Sequence, residues 1–258
     1  MTRVDYRLDA GAAHITLNDP ARGNALDMDM VTQFHEAVRR ARTDDARVVV
    51  VRGAGRSFCV GGDVRFFADA DDVDKAIEDL AELLHRTISD LLRMDAIVVT
   101  VVQGAVAGAG VALAAAGDVV LAAESARFTL AYTKLGLSPD GGSSMLSSSI
   151  GLHRALHLAL LNPLLTADQA KKAGFVGDVH PDGDLDDEAA RAVDLLLAGS
   201  RTAQVATKRL FRAAAISSPE GLLRQEALTI RACADAPDGR EGVDAFVNKR
   251  AADFPSNG

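Results

Sequence analysis

Two runs of β-branched residues constrain the fold more than any other feature of this chain. Val48–Val51 and Ile97–Val102 are almost purely apolar, without the alternation of a half-exposed strand, so each reads as a strand buried on both faces. Each then runs into a stretch of small residues. Gly53–Asp63 carries too many glycines for a regular element and reads as a loop at the surface of a cleft. Ala105–Ala116 holds almost only Gly, Ala, Val and Leu, the composition of a fully buried helix in close backbone contact.

The remaining pattern extends this β/α core. Val4–Leu8 and His14–Leu17, separated by Asp9-Ala10-Gly11, predict an opening hairpin. Asp27 is placed to cap a helix with Met30, Val31, Phe34, Ala37 and Val38 on one face. A long amphipathic helix is predicted over Asp72–Met94, its stripe formed by Ile77, Leu80, Leu84, Ile88 and Leu91, and Val119–Ala122 returns to strand character. Beyond Pro139 the periodicity is helical: Gly142–Ile150, Leu152–Leu161, a capping-box start at Thr166 with Gln169, and further helices to about Lys249. Strands are therefore expected in the first half and helices in the second, with no internal repeat or low-complexity linker.

Composition narrows the function. The 258 residues carry 48% hydrophobic and 25% charged side chains, enough for a sizeable core, and a formal charge of -8 excludes a global attraction for nucleic acid or an anionic membrane. Cys59 and Cys233 cannot form a disulfide framework, no Cys/His cluster has zinc-ligand spacing, and no apolar run is long enough to span a bilayer. These features predict a cytoplasmic protein without nucleic-acid or membrane partners, and without a metal.

Three segments carry a resemblance. Asn18-Asp19-Pro20-Ala21-Arg22-Gly23-Asn24-Ala25-Leu26 matches an N-x-P-x-x-x-N-A-L pattern. Ser57-Phe58-Cys59-Val60-Gly61-Gly62-Asp63 matches F-C-x-G-G-D, and Gln103–Leu113 is similar to N-G-x-x-x-G-G-G-x-x-L. With the downstream Gly136-Leu137-Ser138-Pro139-Asp140-Gly141-Gly142, in this order and spacing, the chain resembles the enoyl-CoA hydratase/isomerase (crotonase) family over nearly its whole length. The resemblance implies an α/β fold, a crotonase-like spiral of ββα units in residues 1–195 with a C-terminal helical region in 196–258 that serves assembly and completes the coenzyme A site. It also implies a homotrimer or a dimer of trimers, acyl-CoA as the small-molecule partner in fatty acid metabolism, and no cofactor beyond the coenzyme A of the substrate thioester. A dinucleotide fold fits less well, because Leu113 stands where the third glycine of G-x-G-x-x-G belongs. A serine hydrolase lacks the flanks of G-x-S-x-G around Gly142-Ser143-Ser144.

A thioester oxygen that gathers negative charge needs two converging donors, and backbone N–H groups between small residues serve. By resemblance these are the N–H groups of Gly62 and Ala109, the second near a helix start that favours an anion. Family members usually have glycine where Ala109 stands, and a methyl group leaves the N–H available. The resemblance further implies a substrate site that takes in Arg22, Asn24, Ala25, Leu26, Gly61, Asp63, Ala112, Tyr132, Phe246 and Lys249. Arg22 and the pair Lys249 and Arg250 stand where basic residues meet coenzyme A phosphates, the pair reaching a neighbouring subunit.

Hydration of an enoyl thioester in this family uses two glutamates, and Ala112 and Tyr132 occupy those positions here. Classical hydratase (lyase) activity is therefore not expected. Asp140 follows the proline as an acid does in isomerases of the family, those shifting enoyl-CoA double bonds and the ring-epoxide isomerase of phenylacetyl-CoA breakdown. One carboxylate suffices to remove a proton at C2 and return it at C4 while the oxyanion hole holds the dienolate. Asp140 also suits the N-cap of a helix starting near Gly142, and the two roles are compatible. The expected function is enoyl-CoA isomerisation through Asp140; the alternatives are a hydratase with non-standard acid/base residues and a catalytically silent acyl-CoA-binding protein. Dehalogenase-like displacement by Asp140 is disfavoured by Tyr132, which is expected on a strand. Cys59 is read as a semi-buried thiol without a role, His85 as lying near the apolar stripe, His153 and His157 as a solvated helix face, and Asp69, Asp71, Asp72 and Asp74 as a solvated helix start.

Overall fold

The chain, a computed structural model, is described over residues 2–68, 71, 73–215 and 219–254. Its strands are β1 (Val4–Asp9), β2 (Ala12–Leu17), β3 (Val48–Gly53), β4 (Ser57–Cys59), β5 (Ile97–Val102), β6 (Ala105–Ala107), β7 (Val119–Ala123), β8 (Arg127–Thr129), β9 (Leu165–Thr166) and β10 (Asp178–His180). Its helices are α1 (Met28–Thr43), α2 (Val64–Ala68), α3 (Val73–Arg93), α4 (Ala109–Ala115), α5 (Leu146–Ile150), α6 (Leu152–Leu161), α7 (Ala167–Ala173), α8 (Leu185–Ala198), α9 (Arg201–Ala215), α10 (Pro219–Asp235) and α11 (Pro237–Val247). The strands form a six-stranded sheet, ordered β1-β2-β3-β5-β7-β10, and a four-stranded sheet, ordered β4-β6-β8-β9. Among the described strand pairs, only the β1–β2 hairpin and the β8–β9 pair are antiparallel.

The connectivity is a spiral. β3, β5 and β7 lie side by side in the large sheet, and the strand that follows each, β4, β6 and β8, drops into the small sheet. The large sheet is covered on both faces, which is why its strands lack alternation. Val49, Val51, Val98 and Val102 face the main core with α1 and α3, while Val48, Val50, Val99 and Val101 face a second cluster closed by Leu185, Ala189 and Val193 of α8.

The predicted hairpin, the cap of α1 and the capping box of α7 stand: the Asp27 side chain accepts from Met30 N–H, and Thr166 and Gln169 cap each other. Other expectations change. The glycine-rich loop contains a strand, β4, and the buried helix expected over Ala105–Ala116 is shortened to α4 because Ala105–Ala107 pair with β4 and β8. The second half contributes β9 and β10, too short to leave a periodic signal, and α8 runs through the expected 195/196 division. Tyr132 opens a 3-10 turn, not a strand. Asp69 and Asp72 of the acidic run lie outside the described residues, as does the expected start of α3. No helix among the described residues is long and apolar enough to cross a membrane.

Candidate active site

A cleft of about 610 Å³ opens where the small-sheet strands end. The loop after β4 supplies Gly61, Gly62 and Asp63, the start of α4 supplies Ala109, and the segment after β8 supplies Tyr132 and Asp140. The N–H of Ala109 is the first of α4 and has no acceptor within the helix. Around Gly62, Leu26 N–H donates to the Gly61 oxygen at 2.8 Å and Asp63 N–H donates to the Leu26 oxygen at 2.9 Å, a pairing that spares the N–H of Gly62. Gly61 must be glycine: its φ is +88°, and a Cβ there would lie 2.7 Å from the Ala107 oxygen and 3.3 Å from the nitrogen of Ala109. Gly110 allows α4 to sit on β4, since a Cβ would come within 2.2 Å of the Cys59 oxygen.

Asn24 is fully buried, and its amide is not in the cleft wall. Nδ2 donates to the oxygens of Ala54 (3.0 Å), Ser57 (2.8 Å) and Phe58 (3.1 Å), and Oδ1 accepts from Asp19 N–H at 2.8 Å. Asn24 thus fastens β4 from behind while Leu26 holds the loop that follows. Burial pushes the nearby Cys59 thiol up to about 12, so it stays protonated.

Asp140 is buried in the cleft wall, beside Gly141, which abuts Ala109. Its Oδ1 shares a hydrogen bond of 2.8 Å with Nε2 of His85, a buried residue of α3. Its backbone oxygen accepts from Tyr132 OH at 3.0 Å and Ser143 Oγ at 2.6 Å. Burial, and then the negative charge of Asp140, hold the Tyr132 phenol well above its ordinary value, so it remains a donor. The helix-capping role considered for Asp140 is performed by Glu226 of α10, whose Oε2 accepts from Gly142 N–H (2.6 Å) and Oε1 from Ser144 N–H (2.7 Å). Burial raises the Glu226 carboxyl above its usual range, the two amides oppose this, and the charge of Asp140 adds to it.

Potential metal-ligand atoms of His85, Asp140 and Glu226 lie within 4.8 Å of one another, all buried. They are engaged with protein partners: His85 with Asp140, and both oxygens of Glu226 with amides.

Of the residues expected at the substrate site, Arg22, Ala25, Leu26, Gly61, Asp63, Tyr132 and Phe246 line the cleft with Gly62, Ala109 and Asp140. Asn24 does not, and Ala112 lines a separate cavity of about 30 Å³ with Gly142 and Met145. Lys249 is exposed outside the cleft, and Arg250 is tied to Glu241 and Asp244. Arg22 reaches Asp19, Asp27 and Asp63 at 2.8, 3.3 and 3.4 Å, and Arg65, not singled out from the sequence, joins it in the wall. His153 and His157 are exposed. Glu226 was missed, and His85 was noted near the apolar stripe without its partner Asp140, although each stands on the apolar stripe of its helix, where a polar side chain calls for a partner.

Gly62, Ala109 and the buried carboxyl of Asp140 thus line one cleft at the ends of the small-sheet strands. The comparisons give the family. A family model described as enoyl-CoA hydratase/isomerase matches residues 7–257. A protein of Rhodobacter capsulatus named a probable enoyl-CoA hydratase is 35% identical over 254 residues, 97% of each chain. The 1,2-epoxyphenylacetyl-CoA isomerase of Escherichia coli is 34% identical over 254 residues, 96% of each chain. A crystal structure of an enoyl-CoA hydratase from Mycobacterium avium subsp. paratuberculosis superposes with a TM-score of 0.89 at 34% identity, covering 98% of each chain. The chain belongs to the enoyl-CoA hydratase/isomerase family.

Proposed function

We propose that this protein shifts the double bond of an enoyl-CoA thioester, with the amides of Gly62 and Ala109 holding the enolate oxygen and Asp140 carrying the proton. The observation that carries the reading is the seat of Asp140: a buried carboxylate in the cleft wall, next to the segment that bears Ala109. The other acid of the wall, Asp63, accepts from Arg65 N–H at 3.1 Å and pairs with Arg22, which makes it part of the mouth. Glu226 lines no part of the cleft, so it offers no second carboxylate for activating water. An isomerase among the relatives agrees with this reading. Arg22 and Arg65 suit the phosphates of coenzyme A. The acyl end is walled by Ile77, Leu80, Ala81, Leu84, Ile230 and Val243, which suits an uncharged, apolar acyl group. Assembly as a homotrimer or dimer of trimers fits the exposed leucines 152, 156, 160 and 161 on α6.

Asp140→Asn keeps the shape of the side chain but cannot shuttle a proton. Isomerisation of a 3-enoyl-CoA should fall at least about a hundredfold with CoA-ester affinity unchanged. Near-normal turnover in that variant, or fast hydration of crotonyl-CoA by the wild type, rejects the mechanism. Binding with no α-proton exchange in heavy water would identify a silent acyl-CoA-binding protein instead.

A further inference from the structure

We infer that His85 relays protons between Asp140 and bulk solvent through a second groove, so that the proton taken from the substrate exchanges with water at the back of the site. The inference rests on the role given to Asp140 above. The groove, about 370 Å³, runs between α3 and α10 and is lined by His85 with Glu82, Arg86, Asp90, Glu220 and Arg224. Asp140 lines the cleft and not the groove; His85 lines the groove and not the cleft. Their 2.8 Å hydrogen bond therefore crosses the wall between the two spaces. Around them the wall is apolar, with Leu84 on the cleft side and Leu223 and Ala227 on the groove side. Glu226, the other acid beside Asp140, lines neither space and is held by amides of the loop.

An acyl chain in the cleft displaces water from the face of Asp140 that meets the substrate. When the α C–H bond breaks, its electron pair enters the enolate and the proton forms an O–H bond on the Asp140 carboxyl oxygen that does not face His85. In the same step the proton of the Asp140–His85 hydrogen bond settles on Nε2 and the Nδ1 proton of His85 leaves to water in the groove, so that one proton enters the pair and one leaves it. The reverse sequence takes a solvent proton at Nδ1 and returns one from Asp140 to the substrate carbon, and rotation of the carboxyl group exchanges the two. The polar rim keeps the groove wet: Glu220 accepts from Ser89 at 2.7 Å and pairs with Arg93, and Arg224 faces Glu82 at 3.4 Å.

The test compares two rates in heavy water: α-proton exchange of butyryl-CoA, which has no double bond to move, and isomerisation of a 3-enoyl-CoA. His85→Phe should lower the ratio of exchange to isomerisation at least tenfold, with product deuterium falling alongside. His85→Ala, which opens a space toward the groove, should regain exchange when imidazole is added. A wild-type ratio in both variants overturns the relay. So does a parallel fall of both rates that imidazole does not repair, the pattern of a residue that only props the carboxylate. Asp140→Asn separates the two readings: exchange that persists there rejects the role of Asp140 itself, whereas its loss there, with His85 variants unaffected, rejects only the relay. If no double bond moves at all, butyryl-CoA exchange still tests the relay.

Discussion

Glu226 accepts the backbone N–H of Gly142 at 2.6 Å from a helix 84 residues further along the chain, so α10 holds the turn that follows Asp140. The Glu226 carboxylate thus ties α10 to the turn beside Asp140, while Ile230, Val243 and Phe246 bring α10 and α11 into the cleft wall.

That tie should be visible in the pH dependence of stability. The folded Glu226 holds its proton above the ordinary value of 4.5, so the folded chain retains a proton that the unfolded chain has released. The stability this contributes is full below about 4.5 and is lost as pH rises through the raised folded value. Glu226→Gln does not titrate, although it loses an acceptor and is expected to be less stable at low pH. The unfolding free energy of the variant relative to wild type should therefore rise with pH through that window; a flat difference in denaturant titrations removes Glu226 as the titrating group.

Gly62→Pro deletes one of the two amides proposed for the enolate oxygen. Loss of one such donor costs about 2.7–4 kcal/mol of transition-state stabilisation, or about 10²- to 10³-fold in kcat. The measurement is kcat of a variant whose circular dichroism matches wild type, and turnover within a few-fold of it ends the assignment.

Asn24→Ala leaves three carbonyl oxygens around β4 without their shared donor. A buried polar group stripped of its partner costs about 1–3 kcal/mol, and that range is expected in chemical denaturation. Because Asn24 is not in the cleft wall, kcat should fall through misplacement of the loop rather than through loss of a substrate contact. Saturating the variant with a CoA ester should restore part of the lost stability.

The apolar acyl wall predicts discrimination by charge. A terminal carboxylate on the acyl chain would be buried against Leu80, Leu84 and Ile230 without a cation, at a cost of several kcal/mol. Comparison of 3-hexenoyl-CoA with its ω-carboxy analogue should show kcat/KM at least about a hundredfold lower for the charged substrate. Equal rates would mean that the acyl chain lies elsewhere.

Where two backbone segments approach closely, the sequence is highly legible. Gly61 and Gly110 are glycines because a Cβ would strike the Ala107 and Cys59 oxygens, and such constraints leave a motif. The cap at Asp27 and the box at Thr166 were readable for the same reason, each being settled within four residues. The pairings of His85 and Glu226 were not, because their partners lie 55 and 84 residues away and nothing local names the partner of a buried polar group. Helical spacing did hold a clue: Glu226 falls between Leu223 and Ile230, and His85 between Ala81 and Ile88, all buried. Ala112 shows the opposite case, a position carried over by motif that lines a different cavity.

The alternation of strands between the two sheets also sets a ruler. Gly62 follows β4 and Ala109 follows β6, and these are adjacent parallel strands. Hydrogen-bonded neighbours in a sheet are about 4.8 Å apart, close to the span of two amides that share one oxygen at about 2.9 Å each. The width of the proposed anion seat is thereby inherited from the spacing of the sheet itself, and the side chains around it can change with the acyl group without altering the gauge.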